Sequence, residues 1–347
     1  MILKKGSHQV VITLAALVLL AIVALFCMAL GSVPFSMQDS LAVGVNSLFG
    51  NEILSIEHPN AATIILQLRA PRVLLAGLVG ASLAMAGAAM QGLLKNPLAD
   101  GSTLGVTAGG ALGAVLALAF NFSLPIFPEF STAFASIIFS FTSLFLILVF
   151  AKRMDANLAS QTIILTGVIF AMLASALTSL IIAFSGEQMQ RIVFWTMGSF
   201  SGRGYEHLFM MAVLSLPAIL LIWSQHLELD ALALGEEQAA YTGVNVQKVR
   251  LLLLIAVAIL CGTAVALCGS IAFIGLTIPH IVRMLTGPVH RKLLPLCLII
   301  GAIFLMLCDL FSRTLLPPLE LPIGVMTSIV GALTFVFIFY RQRGSNR

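Results

Sequence analysis

Apolar stretches long enough to cross a bilayer recur from one end of this 347-residue chain to the other. A helix rises 1.5 Å per residue, so a hydrocarbon core roughly 30 Å thick takes about 20 apolar residues to cross. Clear candidates are Val10–Leu30, Val73–Leu94, Leu104–Phe120, Ala133–Phe150, Thr162–Phe184, Leu208–Trp223, Leu293–Phe311 and Ile323–Tyr340. Composition agrees: 9% of residues are charged, against about 25% in a soluble domain. A surface so poor in charge is suited to lipid, where charges at depth cost several kcal/mol. The net charge of +4 is spread along the chain, with no basic run for nucleic acid and no acidic tail. The N-terminal segment carries Lys4 and Lys5 before Val10–Leu30, an apolar stretch longer than a signal-peptide core and without an A-x-A site, and reads as a retained first span.

One apolar stretch, Leu251 to Leu285, is too long for a single pass and is interrupted by Gly269, Gly275 and Pro279. Tilt absorbs only a few extra residues. Lys248 and Arg250 precede it, and Arg283, His290, Arg291 and Lys292 follow it. Positive charge favours the cytoplasmic side, so both flanks are placed there and the stretch crosses twice, the second time as a short broken helix near Pro279. The expected fold is therefore an all-α polytopic membrane protein of ten transmembrane helices, with both termini cytoplasmic. Residues 1–347 are expected to form a single transmembrane domain, with a cytoplasmic loop at about 225–250. In this arrangement thirteen of the eighteen Lys and Arg lie inside, leaving Arg69, Arg72, Arg191, Arg203 and Arg313 outside. Nine spans would move the C-terminal arginines outside and weaken the bias. Gly105, Gly109 and Gly113, and Gly77, Gly80, Ala84 and Gly87, give small faces for close helix packing.

Several chemistries are excluded. Cys27, Cys261, Cys268, Cys297 and Cys308 all lie in apolar stretches and form no C-x-x-C pair, so they read as packing residues. The six histidines are scattered, with no H-E-x-x-H, and no lysine follows a glycine, so there is no G-K-[ST] nucleotide loop. Ionisable residues avoid the middle of the spans, whereas ion-coupled carriers need them there. If the chain moves something uphill, the energy is then expected to come from another chain. The loop Leu229–Arg250 offers that chain a docking point: Gly235 and Gly243 bracket a short helical segment, Glu236 to Thr242, with acids in its first turn where the dipole favours them. The same pattern also suits an interfacial helix.

Four ordered groups of residues resemble one family. They are Leu68-Arg-Ala-Pro-Arg-Val-Leu74 with Gly80-Ala-Ser-Leu-Ala-Met-Ala-Gly87 and Gln91; Lys95-Asn-Pro-Leu-Ala-Asp100 with Leu104-Gly-Val106; Leu234-Gly-Glu-Glu-Gln-Ala239 with Gly243; and Ile274-Gly-Leu-Thr-Ile-Pro-His-Ile-Val-Arg283 with His290-Arg-Lys-Leu-Leu-Pro295, Asp309 and Glu320-Leu-Pro-Ile-Gly-Val325. Together they resemble the FecCD permeases, which import ferric siderophores, haem and vitamin B12 in ATP-binding-cassette systems, and the likeness runs from about residue 10 to 340.

The resemblance implies a ten-span, non-enzymatic transport subunit of the bacterial cytoplasmic (inner) membrane. It implies a homodimer, or a heterodimer with a paralogue, with the path at the interface. Two ATPase subunits would dock inside, an extracytoplasmic substrate-binding protein outside, and lipid around. The chain itself would hold no cofactor or metal, with ATP and Mg bound by the partner ATPase. By the same resemblance Arg69, Arg72 and Arg313 receive acidic residues of the binding protein, a task suited to planar, bidentate guanidinium groups; plain interfacial snorkelling is the alternative. Gly235, Glu236, Ala239 and Gly243 match the ATPase-coupling segment, and Ser160 and Gln161 fall at the family's cytoplasmic gate. Asn96, Pro97 and Asp100 read as a turn, and Pro279 and His280 as shaping the broken span, with His280 as haem ligand the lesser reading. Met85, Met90, Met172, Met189 and Met197 read as core packing, a soft path lining being the alternative. Ferric siderophore leads as cargo, with haem and cobalamin open; an ion-coupled secondary transporter is the other function class.

Overall fold

The apolar stretches are helices in the computed structural model, which describes residues 2–31, 36–49, 60–156 and 158–345. Fourteen helices are named here: α1 (Ile2–Ala29), α2 (Met37–Phe49), α3 (Ala61–Leu93), α4 (Val106–Ala119), α5 (Ser131–Met154), α6 (Ser160–Phe184), α7 (Met189–Thr196), α8 (Tyr205–Ser224), α9 (His226–Leu234), α10 (Glu236–Tyr241), α11 (Val246–Cys268), α12 (Ile274–Thr286), α13 (His290–Thr314) and α14 (Ile323–Ser345). Seven of them contain segments long and apolar enough to cross a membrane, in α1, α3, α5, α6, α8, α11 and α13, and three shorter apolar segments lie in α4, α12 and α14. The chain is a multi-pass membrane protein. Apart from an isolated bridge between Leu316 and Leu319, the described residues contain no β-structure.

The core forms around α3, which packs against α13, α12, α11 and α8. Small residues permit this. A methyl group added at Gly80 would collide with the Gly301 carbonyl of α13, and one at Gly87 with the Gly275 carbonyl of α12. Gly109 and Gly113 let α4 lie equally close to Ser143 and Phe139 of α5. Without a hydrophobic drive between helices in lipid, such contact supplies the dispersion energy that holds the bundle. Helices α3, α11 and α13 are buried over most of their length, whereas α1 and α6 show apolar faces outward.

The break in the long apolar stretch is placed differently from the expectation. Helix α12 runs without interruption through Pro279, and the chain leaves helical geometry at Gly269–Phe273 instead. The physical reason is local. Pro279 has no N–H for the Gly275 carbonyl, and Gln91 Nε2 of α3 donates to Gly275 and Leu276 oxygens at 3.2 Å each. Gln91 Oε1 accepts in turn from Arg283 at 3.0 Å. The helix thus keeps its bonding past the proline. At 13 residues α12 is about 20 Å long, too short to cross a bilayer alone. Upstream, Pro71 cannot donate to the Gln67 carbonyl, and α3 widens into a π-helical turn over Ile64–Arg69 just before it.

Candidate functional site: two ionic clusters and a hydroxyl-lined cavity

Arg72, Asp309, Glu320, Arg313 and Arg69 meet at one end of α3 and α13. Asp309 is 1% exposed, and its Oδ1 accepts from Arg72 Nε at 3.0 Å and Nη2 at 2.9 Å. Glu320 takes the other side of the same guanidinium, at 2.9 Å from Nη1 and 3.1 Å from Nη2. Arg313, one helical turn beyond Asp309, lies 3.5 Å from its Oδ2 and donates to the Cys27 carbonyl. Arg69 donates to the Met28 and Ala29 carbonyls at 2.9 and 2.7 Å. The last carbonyls of a helix have no partner within it, so these two arginines cap α1 and tie it to the core. All three arginines that the sequence singled out for docking are brought together, but their guanidinium groups are engaged inside the subunit. Only the Glu320 side of Arg72 faces outward, since Glu320 is one-third exposed.

The second cluster lies at the opposite end of α3 and α13, about 30 Å away along α3. Helices α9 and α10 form a short bent unit there. Gly235, between them, has φ +141° and Gly243, after α10, has φ +89°, backbone angles that side chains strongly disfavour. Ala239 is completely buried. The unit is pinned twice. Glu236 pairs with the buried Arg250 of α11 at 2.5 Å and accepts from Ser160 Oγ of α6 at 3.3 Å. Arg250 Nη1 also donates to the Leu158 carbonyl at 2.6 Å. Asp230 of α9 accepts from His290 of α13 through both the backbone N–H, at 2.8 Å, and Nδ1, at 2.6 Å. The structure therefore joins Ser160 to Glu236, which the sequence had treated separately, while Gln161 lines the adjacent surface cleft with Gly235 and Glu236. It also adds Arg250, Asp230 and His290. Arg250 and Asp230 are marked in the sequence only as charges near apolar spans, and His290 opens the segment His290–Pro295.

Between the two ends, a cavity of about 400 Å³ opens beside the break after α11. Its hydroxyls come from Ser102, Thr107, Ser175, Thr178, Ser179, Thr196 and Ser270, with Asp100 at its wall. Ser175, Thr178 and Ser179 share one face of α6 at three- and four-residue spacing, a pattern legible in the sequence. Asp100 is held by accepting from Ser102 N–H, Ser102 Oγ and Thr103 N–H, and Asn96 accepts from Leu98 N–H, so the turn expected there is present. Phe273, at the cavity, has φ +69° without being glycine, a strained angle of the kind that collects at functional sites. The methionines do not line this space: Met85 and Met90 are wholly buried in the core, and Met172, Met189 and Met197 are exposed elsewhere. All five cysteines are free and buried. His280 packs beside Phe335, and no cluster of three His, Cys, Asp or Glu suited to a metal occurs among the described residues.

The chain is 44% identical over 299 residues, 86% of its length and 84% of the relative's, to the ABC transporter permease protein YvrB of Bacillus subtilis. It is 37% identical to the vitamin B12 import system permease protein BtuC of Vibrio vulnificus, covering 99% of this chain and 97% of that one. Its fold matches a solved inward-facing structure of an ABC transporter assigned to the metal-chelate type, at TM-score 0.83 and 34% identity, over 95% of this chain and 99% of the other. The model of the FecCD transport family matches residues 18–341. The chain belongs to the FecCD transport family.

Proposed function

We propose that this chain is the membrane-spanning permease subunit of an ABC importer that moves a metal chelate into the bacterial cytoplasm by alternating access. The observation that carries this reading is the α9–α10 unit, a rigid projection pinned to three different long helices through Glu236–Arg250, Ser160 and Asp230–His290. A partner that pushes on such a unit moves α6, α11 and α13 together, which is what coupling to a separate ATPase requires. On this reading the α9–α10 end faces the cytoplasm, with both termini there and ten passes, the three shorter apolar helices included. Two ATPase subunits bind ATP and Mg, and a second copy or paralogue completes the path on the exposed face of α6, whose hydroxyls line the cavity. A binding protein meets the opposite end, with Arg72 and Glu320 at the contact and Arg69 and Arg313 shaping the rim. The likeness to a vitamin B12 permease and to a metal-chelate transporter supports a large chelate; among these, ferric siderophore leads as the commonest cargo class that the FecCD resemblance implies, with haem and cobalamin next. An ion-coupled carrier fits less well, because the buried ionic groups of the described residues cluster at helix ends.

The test is capture of the partner. The tagged chain co-purifies with a Walker-A ATPase in equal stoichiometry, and Ala239→Trp, which forces an indole into a fully buried site, lowers recovered ATPase or transport per ATP by about tenfold. Normal assembly and normal coupling in Ala239→Trp would show that α10 is not the coupling element.

A further inference from the structure

Beside the α9–α10 end, but outside the machinery described above, a groove of about 450 Å³ is lined by Val10, Thr13, Leu14, Trp223, Arg291 and Lys292. Its chemistry is divided. Arg291 and Lys292 open α13, and no acidic residue occupies that first turn. The carboxylate at this helix start, Asp230, is already taken by His290. Neither Arg291 nor Lys292 forms an ion pair among the described residues. Two adjacent cations at the positive end of a helix dipole repel each other and the dipole, so the position favours an anion. The other wall is apolar, since Val10 and Leu14 of α1 lie exposed and continue into the outward face of that helix. Trp223 lies at the end of α8, stacked on His226 with ring centroids 5.5 Å apart, where an aromatic ring sits at headgroup level.

We propose that this groove is a binding site for an anionic phospholipid, with the phosphate held by Arg291 and Lys292, the glycerol region against Trp223 and an acyl chain along Val10 and Leu14 of α1. Charge selects the headgroup, and the apolar wall makes a lipid, rather than free phosphate, the occupant. Basic recesses between spans at a membrane surface are suited to such headgroups. The site depends neither on the cargo nor on the ATPase.

Native mass spectrometry of the purified full chain reads the site, using phosphatidylglycerol, phosphatidylcholine of the same acyl chains, and glycerol 3-phosphate as probes. The chain should retain phosphatidylglycerol in preference to phosphatidylcholine and show no comparable binding of glycerol 3-phosphate. Arg291→Gln with Lys292→Gln should weaken phosphatidylglycerol binding by about tenfold, while the charge-preserving pair Arg291→Lys with Lys292→Arg should retain it. Lys152→Gln with Arg153→Gln removes the same charge from the exposed basic pair ending α5 and should change binding by no more than about twofold. Equal loss in both glutamine pairs, no preference between the lipids, or equally tight binding of glycerol 3-phosphate would each overturn the proposal.

Discussion

Asp309→Ala should destabilise the permease by about 3–5 kcal/mol, the cost of stranding buried charge, seen as a lower unfolding midpoint in detergent. The expectation follows from how many groups depend on this carboxylate. Asp309 is the shared acceptor for Arg72 and Arg313, and at 1% exposure it offers no route for water to replace it. Its removal leaves Arg72 with the partly exposed Glu320 alone and Arg313 with a backbone carbonyl. The Cys27 cap loosens with Arg313, so the end of α1, still held by Arg69, should lose part of its grip on the core. Asp309→Asn keeps an acceptor in place and should lose less. Glu320→Ala should lose least, because a partly exposed pair contributes little. Equal stability of Asp309→Ala and the unaltered chain would mean that the arginines find other partners.

Arg250→Ala should leave a folded permease that transports about tenfold more slowly per ATP hydrolysed. Arg250 is 2% exposed and holds Glu236 on one side and the Leu158 carbonyl on the other. It therefore ties α10 both to α11 and to the segment leading into α6. Without it the short helix keeps its glycine hinges but loses its grip on the long helices, so partner motion is absorbed rather than transmitted. Arg250→Lys retains charge without the planar fork and should recover only part of the loss. Measuring uptake and ATP hydrolysis on the same vesicles separates uncoupling from failed assembly. Unchanged transport per ATP in Arg250→Ala would place coupling elsewhere.

Much of the scaffold was legible in the sequence because lipid imposes blunt rules on composition. Each long apolar stretch became a helix, the glycine series of α3 and α4 marked where backbones touch, and the Gly235–Gly243 bracket held its short helix. What escaped was long-range polar pairing. Pro279 suggested a break, but the missing donor was compensated by Gln91, 188 residues earlier, and the break moved to Gly269–Phe273. The same holds for Arg69 and Arg313. Their position against the inside bias pointed outward to a partner, while their hydrogen bonds run inward to α1. Hydropathy places a charge at a membrane surface; it carries no information about which carbonyl or carboxylate that charge will meet.

Uptake into proteoliposomes tests the central claim most directly. The chain is reconstituted with the ATPase and binding protein proposed as its partners, and accumulation of radiolabelled chelate is followed with ATP, with ATP plus vanadate, and with a proton gradient alone. The permease reading predicts accumulation that requires ATP and stops with vanadate. Accumulation driven by the proton gradient in vesicles lacking the ATPase would contradict it.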